Sequence, residues 1–446
     1  MVARGAAIAD RFTPRARERA MKPTLYWTGL AILVCLAPAV GAADPAPGAP
    51  GLTLESAVEN SLTVGEDVRI ARARRDQAEA GVGKARSALL PDLDATGAYT
   101  RRRSIDNRDD NALAAEVTVS STVFDARALP LLRAAKRARD AAALDEQDQR
   151  RQTAFAAAEA FLVALGQERI VLAANEHRDF ALARRREVAA RVEAQLTSRN
   201  DQTQVELELA TADRELTAAN VALADAYTQL AFWVGAPVAG PLVEPTWLYD
   251  RASAPAADPG GVTGRPDLAA AKLRVESAAE AAKEPARRIW PTIGVFGQVR
   301  FANDPGLPQH TDWAVGVTAT WSIWDGGARA ADERTARATT EIARLQASIA
   351  ERRATTEVDS AMVRLRGAQA DVTAATTLAE VASRNASEVA ILYSQGLVRA
   401  LEVTDAGSQQ FDANVALVRA RIGVAAAYLD LVAATGGQPV PAGGVK

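Results

Sequence analysis

Between Trp313 and Trp324 the chain alternates in character: Trp313, Val315, Val317, Ala319, Trp321 and Ile323 are interleaved with Ala314, Gly316, Thr318, Thr320, Ser322 and Trp324. A period of two puts one set on each side of an extended strand, giving an apolar face and a small or polar face. A fainter version occurs earlier, where Val117, Val119 and Val123 alternate with Glu116, Thr118, Ser120 and Thr122. Partner strands are predicted at 91–102 and 291–302, with polar, turn-rich loops at 103–113 and 303–311. Strands of roughly 10–13 residues are long enough to cross a bilayer at a tilt. Trp290, Trp313, Trp321 and Trp324 fall near strand ends, where amphipathic rings suit a membrane interface. A half-buried hairpin in a soluble protein alternates in the same way, so this pattern alone leaves both settings open.

The rest of the chain is patterned for helices. Segments 54–89 and 266–289 are predicted to open the two series, and a helix over 127–196 follows the first hairpin. Its one proline, Pro130, lies in the first turn, where a missing amide is tolerated. Seventy helical residues would span about 105 Å. Return helices are predicted over 201–233 and 401–434, and Asp125 and Asp325 are candidate caps for the long helices. Along the first return helix Ala212, Leu216, Ala219, Leu223, Ala226 and Leu230 form a heptad seam for side-by-side packing. Helices this long and thin cannot each enclose a globular core.

The pattern is written twice. Leu90-Pro91 answers Trp290-Pro291, and Val123-Phe124-Asp125 answers Ile323-Trp324-Asp325, at an offset of 200. The seam is answered by Ala413, Leu417, Ala420, Val424, Ala427 and Leu431 at an offset of 201. Two repeats are therefore expected at 52–235 and 265–436, with a tail at 437–446. Between them, 236–264 is rich in Pro, Gly and Ala and is expected to hold little regular structure. Four strands cannot close a barrel, and an open sheet edge cannot face lipid with its amides unsatisfied. If the strands lie in a membrane, several chains must share one barrel, with Thr, Ser, Gln and Gly around a watery lumen. The expected fold class is thus an α+β membrane channel whose long helices continue the barrel as a coiled-coil ring.

Composition narrows the setting. Among 446 residues the aromatics make up only 5 % and the net charge is −3, which gives nucleic acid no basic surface to bind. Arg15, Arg17, Arg19 and Lys22 precede an apolar run over 25–37 and the small residues Val40-Gly41-Ala42-Ala43. That order reads as a secretory signal over 1–43, cleaved after Ala42 or Ala43. Met21-Lys22 is a second candidate start of translation. The one cysteine, Cys35, has Val34 before it and Leu36 after it, which argues against lipidation and leaves no thiol after cleavage. No later segment has the ~20 apolar residues of a transmembrane helix. There is no phosphate loop, zinc-binding His-Glu helix or nucleophile elbow. His177 and His310 are expected at the surface, with no catalytic role, cofactor or metal.

With these elements in order, the chain resembles the TolC-type outer-membrane factors of efflux pumps and type I secretion systems. The resemblance runs from Leu52 to Gly436. It rests on Ala88-Leu89-Leu90-Pro91 with Tyr99, on Arg265-Pro266-Asp267-Leu268, and on Ile323-Trp324-Asp325-Gly326-Gly327. It rests also on Tyr393-Ser394-Gln395-Gly396 and on Leu401-Glu402-Val403-Thr404-Asp405-Ala406. The resemblance implies a homotrimer with a shared twelve-stranded barrel in outer-membrane lipid and a periplasmic α-barrel. It implies a periplasmic adaptor and an inner-membrane transporter as further partners. By position Glu402, Asp405 and Asp201 match the acidic residues of the periplasmic entrance. Arg199, Gly396 and Arg399 fall in the tip turns, where they are candidates for tethering or adaptor docking. The first half departs from the pattern there, with Gln195 in the place of the turn glycine that Gly396 supplies. The competing reading is a periplasmic coiled-coil scaffold without channel activity; cargo, whether drug, metal ion or protein, is open.

Overall fold

A computed structural model describes residues 51–103, 109–238, 240–254, 262, 264–303 and 309–440. The expected signal segment and cleavage position, Cys35 and most of the 437–446 tail lie outside the described residues. The chain begins with α1 (Leu54–Val64) and α2 (Glu66–Ser87), then the hairpin β1 (Asp92–Arg103) and β2 (Asp109–Phe124). The helices α3 (Ala128–Glu193) and α4 (Arg199–Val234) follow, then α5 (Thr246–Ser253). Next come α6 (Pro266–Ala281), α7 (Glu284–Arg287), β3 (Thr292–Asn303), β4 (His310–Thr320), α8 (Ala328–Ser394) and α9 (Ala400–Ala434).

The four strands form one antiparallel sheet in the order β1-β2-β3-β4. The long helices pack in pairs, α3 on α4 and α8 on α9, with α2 and α6 laid against α3. Alanine makes this possible, because small side chains on a seam let helix axes approach closely. Ala212, Ala219, Ala226 and Leu230 are buried along the α4 seam, and Ala413, Ala420, Val424, Ala427 and Leu431 along that of α9. The largest core gathers Leu54 of α1, Phe161, Leu162 and Leu165 of α3, Leu230 of α4, Leu248 of α5 and Leu429 of α9. A second lies between α8 and α9 around Val358, Leu365, Val424 and Leu431. Among the described residues no helix is long and apolar enough to cross a membrane.

Several boundaries differ from expectation. The segment 54–89 is broken at Gly65, whose backbone leaves helical geometry at ψ 119 where Thr153 of α3 comes close. The segment 266–289 is likewise divided, with Pro285 in the first turn of α7. β2 begins at Asp109, so part of the expected 103–113 loop is strand, while β4 ends at Thr320, short of the alternation that runs to Trp324. The indole of Trp321 donates to the Ile289 carbonyl at 2.9 Å, and Gly326 and Gly327 (φ 67 and 89) turn the chain into α8. Within the 236–264 segment, expected to hold little regular structure, lies α5. This short amphipathic helix after Pro245 buries Leu248 and Ala252, which stabilises a segment too short to stay helical alone. Of the two candidate caps, Asp325 accepts from the amides of Gly327 (3.1 Å) and Arg329 (2.8 Å). Asp125 instead turns both oxygens to the Arg127 guanidinium, each at 2.9 Å, beside one amide contact.

Candidate channel wall and entrance

Register sorts the sheet into two faces. Val317 stands opposite Val295, Trp313 opposite Val299, Val299 opposite Val117, and Val119 opposite Leu93. Because neighbours across a ladder share a side, Leu93, Val117, Val119, Val295, Val299, Trp313, Val315 and Val317 form one apolar face. It is bare: Trp313, Val315 and Val317 are 77 %, 77 % and 71 % exposed. The other face is mostly polar or small, with Thr96, Thr118, Ser120, Gln298 and Thr318 beside the ring of Phe296. It also carries charge, since Glu116 stands opposite Arg300 and Arg300 opposite Asp312. Gly316 is required on this side, because a Cβ there would fall 2.7 Å from the ring of Phe296.

Aromatic rings mark both ends of the apolar face. Tyr99, Phe301 and Trp313 lie toward the hairpin tips, and Trp290, Trp321 and Trp324 toward the helices; all six are exposed. Extended chain from Trp313 to Trp321 covers roughly 26 Å. At a tilt of ~40° that length rises about 20 Å, most of the ~25 Å apolar band of an outer-membrane barrel. The two outer strands, β1 and β4, each leave one edge of the sheet unpaired.

At the far end of the helices two turns match. The Leu196 amide donates to the Arg191 carbonyl at 2.8 Å, and Gln195 to Val192 at 3.0 Å. In the second turn Leu397 donates to Leu392, and Gly396 to Tyr393, each at 3.0 Å. This is a helix stop closed by a left-handed residue, with φ 60 at Gln195 and φ 73 at Gly396. Gln195 thus takes the glycine's conformation despite its Cβ, at a cost of roughly 1–2 kcal/mol. Gln195→Gly should stabilise the chain by about 1 kcal/mol and Gly396→Ala destabilise it by a similar amount. Thermal unfolding followed by circular dichroism checks both signs.

The acidic candidates then acquire distinct surroundings. Asp201 is the third residue of α4, and its Oδ2 accepts from the Ser198 amide (3.2 Å), the Ser198 hydroxyl (2.9 Å) and the Thr197 hydroxyl (2.5 Å). The Thr197 hydroxyl, helped by Ser198 and by the charge of Arg399 from the other hairpin, holds this carboxyl below its ordinary range. Glu402 occupies the same place in α9, accepting from the Arg399 amide at 3.4 Å. Glu402, Asp405, Arg199, Gly396 and Arg399 are exposed at the turns. The structure therefore brings Asp201 toward Arg399, while Asp201 and Glu402 also cap their own helices.

Just inside the turns lies a buried polar cluster that sequence reasoning missed. Glu208 of α4, Arg184 of α3 and Tyr393 of α8 are all buried. The Arg184 guanidinium lies 5.3 Å from the Phe180 ring and 5.0 Å from the Tyr393 ring, and Arg191 lies 4.5 Å from Tyr393. Burial pushes the Tyr393 phenol up. A signal was available: Arg184 lies between buried Ala181 and Val188, and Glu208 between buried Val205 and Ala212, at core-facing helical spacing.

His177 is not at the surface. It is buried, stacked on Phe411 of α9 with centroids 4.8 Å apart, and its Nε2 is 3.8 Å from Glu215 of α4. It sits one helical step from buried Ala174 and Ala181, on the α3 face that α9 covers. Burial pushes the imidazole down against the pull of Glu215 and Asp412. His310 opens β4 and lies 3.4 Å from Asp312. Among the described residues no three His, Cys, Asp or Glu side chains converge as metal ligands.

The family model for outer membrane efflux proteins matches residues 263–437. Among curated proteins no significant sequence match is found. Solved structures with the same fold include the Campylobacter jejuni CmeC outer membrane channel, with a TM-score of 0.75 at 16 % identity, covering 86 % of this chain and 85 % of that one. The Vibrio cholerae outer membrane protein VceC has a TM-score of 0.72 at 17 % identity, covering 86 % and 96 %. The open state of the Neisseria gonorrhoeae MtrE outer membrane channel has a TM-score of 0.72 at 18 % identity, covering 86 % and 89 %. An efflux-protein signature thus lies over residues 263–437, and the fold of these outer-membrane channels extends over 86 % of the chain.

Proposed function

We propose that the chain is one subunit of an outer-membrane channel that carries solutes out of the periplasm. The observation that carries this reading is the sheet: one bare apolar face, one polar face and two open edges. Water on the apolar side leaves hydrophobic surface uncovered, and lipid on an open edge strands its amides. A ring of copies answers both. The even number of antiparallel strands makes β1 and β4 run in opposite directions, so β4 of one copy beside β1 of the next continues the alternation. Such head-to-tail pairing leaves every set of helices on the same side of the membrane and closes by rotation. Three copies give the twelve strands that the family resemblance implies. Substrates would then enter at the helical tips, pass up the α-barrel and leave through the β-barrel, a conduit rather than a catalyst.

On this reading the secretory signal is removed near Ala42 or Ala43 and the helices stand in the periplasm. The tips meet an adaptor that joins them to an inner-membrane transporter, with Arg199, Gly396 and Arg399 as docking candidates. Symmetry repeats Asp201, Glu402 and Asp405 around the entrance, and such rings of carboxylates favour cations.

The test is single-channel recording from purified protein in planar bilayers, wild type beside Glu402→Ala/Asp405→Ala. Discrete, small or rare openings are expected for the wild type, and a weakened cation preference for the double variant. Folded protein that inserts with unchanged selectivity would remove the carboxylates from the entrance but keep the channel. Folded protein that neither inserts nor conducts would return the chain to the scaffold reading.

A further inference from the structure

The cluster inside the tips contains two buried charged groups, each with a polar atom that lacks a partner. Glu208 is 4 % exposed, and among the described residues its Oε1 has no hydrogen bond. Arg184 is 7 % exposed; its terminal nitrogen reaches Glu187 at 3.0 Å, but among the described residues its Nε has no acceptor. The two side chains come from different helices of the first hairpin. Each is tied instead to the second hairpin, Arg184 to the Tyr393 ring of α8 and Glu208 to Thr404 of α9.

Proton counting says which form of Glu208 suits this arrangement. The Thr404 hydroxyl oxygen is 3.0 Å from Glu208 Oε2 and 3.1 Å from the Ala400 carbonyl. A hydroxyl has one hydrogen and so can donate to only one of two acceptors. If Glu208 is ionised, one of those contacts is empty. If Glu208 carries a proton on Oε2, it donates to Thr404, and Thr404 donates to Ala400. Every hydrogen is then used. Burial also pushes this carboxyl up, opposed by the Thr404 bond and the Arg184 charge and reinforced by Asp405. The groups facing Glu208 are thus Arg184 from α3 and Thr404 and Asp405 from α9, with Tyr393 of α8 behind Arg184.

A Cβ on Gly407 of α9 would lie 3.2 Å from the Phe180 ring and 3.5 Å from Glu208 Oε1, so the helices are in contact here. The available partner for an ionised Glu208 is Arg184. Reaching it draws the guanidinium out of its place between Phe180 and Tyr393. The Arg184 contact between the hairpins is lost as the contact within the first is made, which leaves Arg191 alone on Tyr393.

We propose that Glu208 and Arg184 are gating residues, a proton on Glu208 keeping the two helical hairpins docked at the tip, and its loss transferring Arg184 from Tyr393 to Glu208 so that the hairpins part. This rests on the channel reading above and adds a regulator to its entrance. The sign follows from linkage. The docked arrangement is the one in which the carboxyl holds its proton more tightly, so docking is favoured at low pH and lost as pH rises.

The experiment follows the full-length protein by two readouts. Open probability in planar bilayers should rise several-fold as pH is raised from mildly acid to mildly alkaline, the sign that linkage sets. Glu208→Gln, whose amide donates to Thr404 as the acid does, should stay low and flat. Separately, spin labels at Leu196→Cys and Leu397→Cys, both exposed in the turns, report the distance between hairpins. That distance should lengthen with pH in the labelled protein that retains Glu208, and stay constant when Glu208→Gln is added. An equal pH response in wild type and Glu208→Gln, or none in the wild type, overturns the proposal. Should Glu208→Gln fail to fold, Thr404→Val decides, since an unchanged midpoint and amplitude there also overturn it. A protein that never conducts defeats the channel reading, while the label distances still decide the switch.

Discussion

Val317→Arg should keep the protein out of the outer membrane, whereas Thr318→Arg, one residue on, should let it insert. Val317 lies mid-strand on β4, exposed, opposite Val295 on the apolar face. An arginine on the lipid side of a barrel near the bilayer midplane costs ~2–4 kcal/mol. In the proposed ring the substitution would recur in every copy, so the penalty would be multiplied within one assembly. Thr318 faces the other way with Gly294 across the ladder, and its arginine would stand on the polar face, the lumen side of the proposed barrel. The measurement is recovery of each variant in outer-membrane fractions, followed by conductance of what inserts. Loss of Val317→Arg from the membrane with altered conductance in Thr318→Arg is the expected pair of results. Equal recovery of the two variants would mean that the apolar face does not meet lipid.

The second large effect belongs to the helical body. Phe161 of α3 is fully buried in the core where α1, α3, α4, α5 and α9 meet. Removing a buried phenylalanine ring forfeits its transfer free energy and leaves a cavity, together ~3–5 kcal/mol. The neighbours at this site come from five helices, so collapse around the void requires several of them to move together. Phe161→Ala should therefore lower the midpoint of thermal or denaturant unfolding sharply while leaving the polar and apolar faces of the sheet unaltered. A shift equivalent to less than about 1 kcal/mol would mean that this core relaxes freely. That outcome would also weaken the view of the helical body as one cooperative unit.

Much of the architecture was legible because its determinants are local. Alternation at Val315, Val317 and Ala319 states which residues share a side, whatever lies on either side of the sheet. The seam of Ala212, Ala219, Ala226 and Leu230 likewise states where a partner helix must pack. The tip turns were harder. Gly396 announces a left-handed stop by its chemistry, but Gln195, in the same place of the other repeat, does not, and only the structure shows that it turns the same way. Where the strands end was also hidden, because β4 stops where the Trp321 indole meets a carbonyl in a segment far back along the chain. α5 was missed for a related reason, since Leu248 and Ala252 are held by helices outside their own neighbourhood.

The candidate site divides along the same line. Asp201, Glu402 and Asp405 could be placed near the turns from their sequence positions alone. What the carboxylates do there depends on partners, and Asp201 and Glu402 prove to cap their helices as well as to border the tip. His177 looked exposed amid a charged helix, yet the side of α3 on which it falls is covered by Phe411. By itself the sequence determined the two hairpins, the long paired helices, their order and the apolar side of each, because hydrophobic periodicity is a property of consecutive residues. Tertiary structure alone decided that Arg184, Glu208, Tyr393 and Thr404 meet in one buried cluster. Their contact arises from four helices packing at a distance set by alanine and glycine, and no spacing along a single segment encodes it.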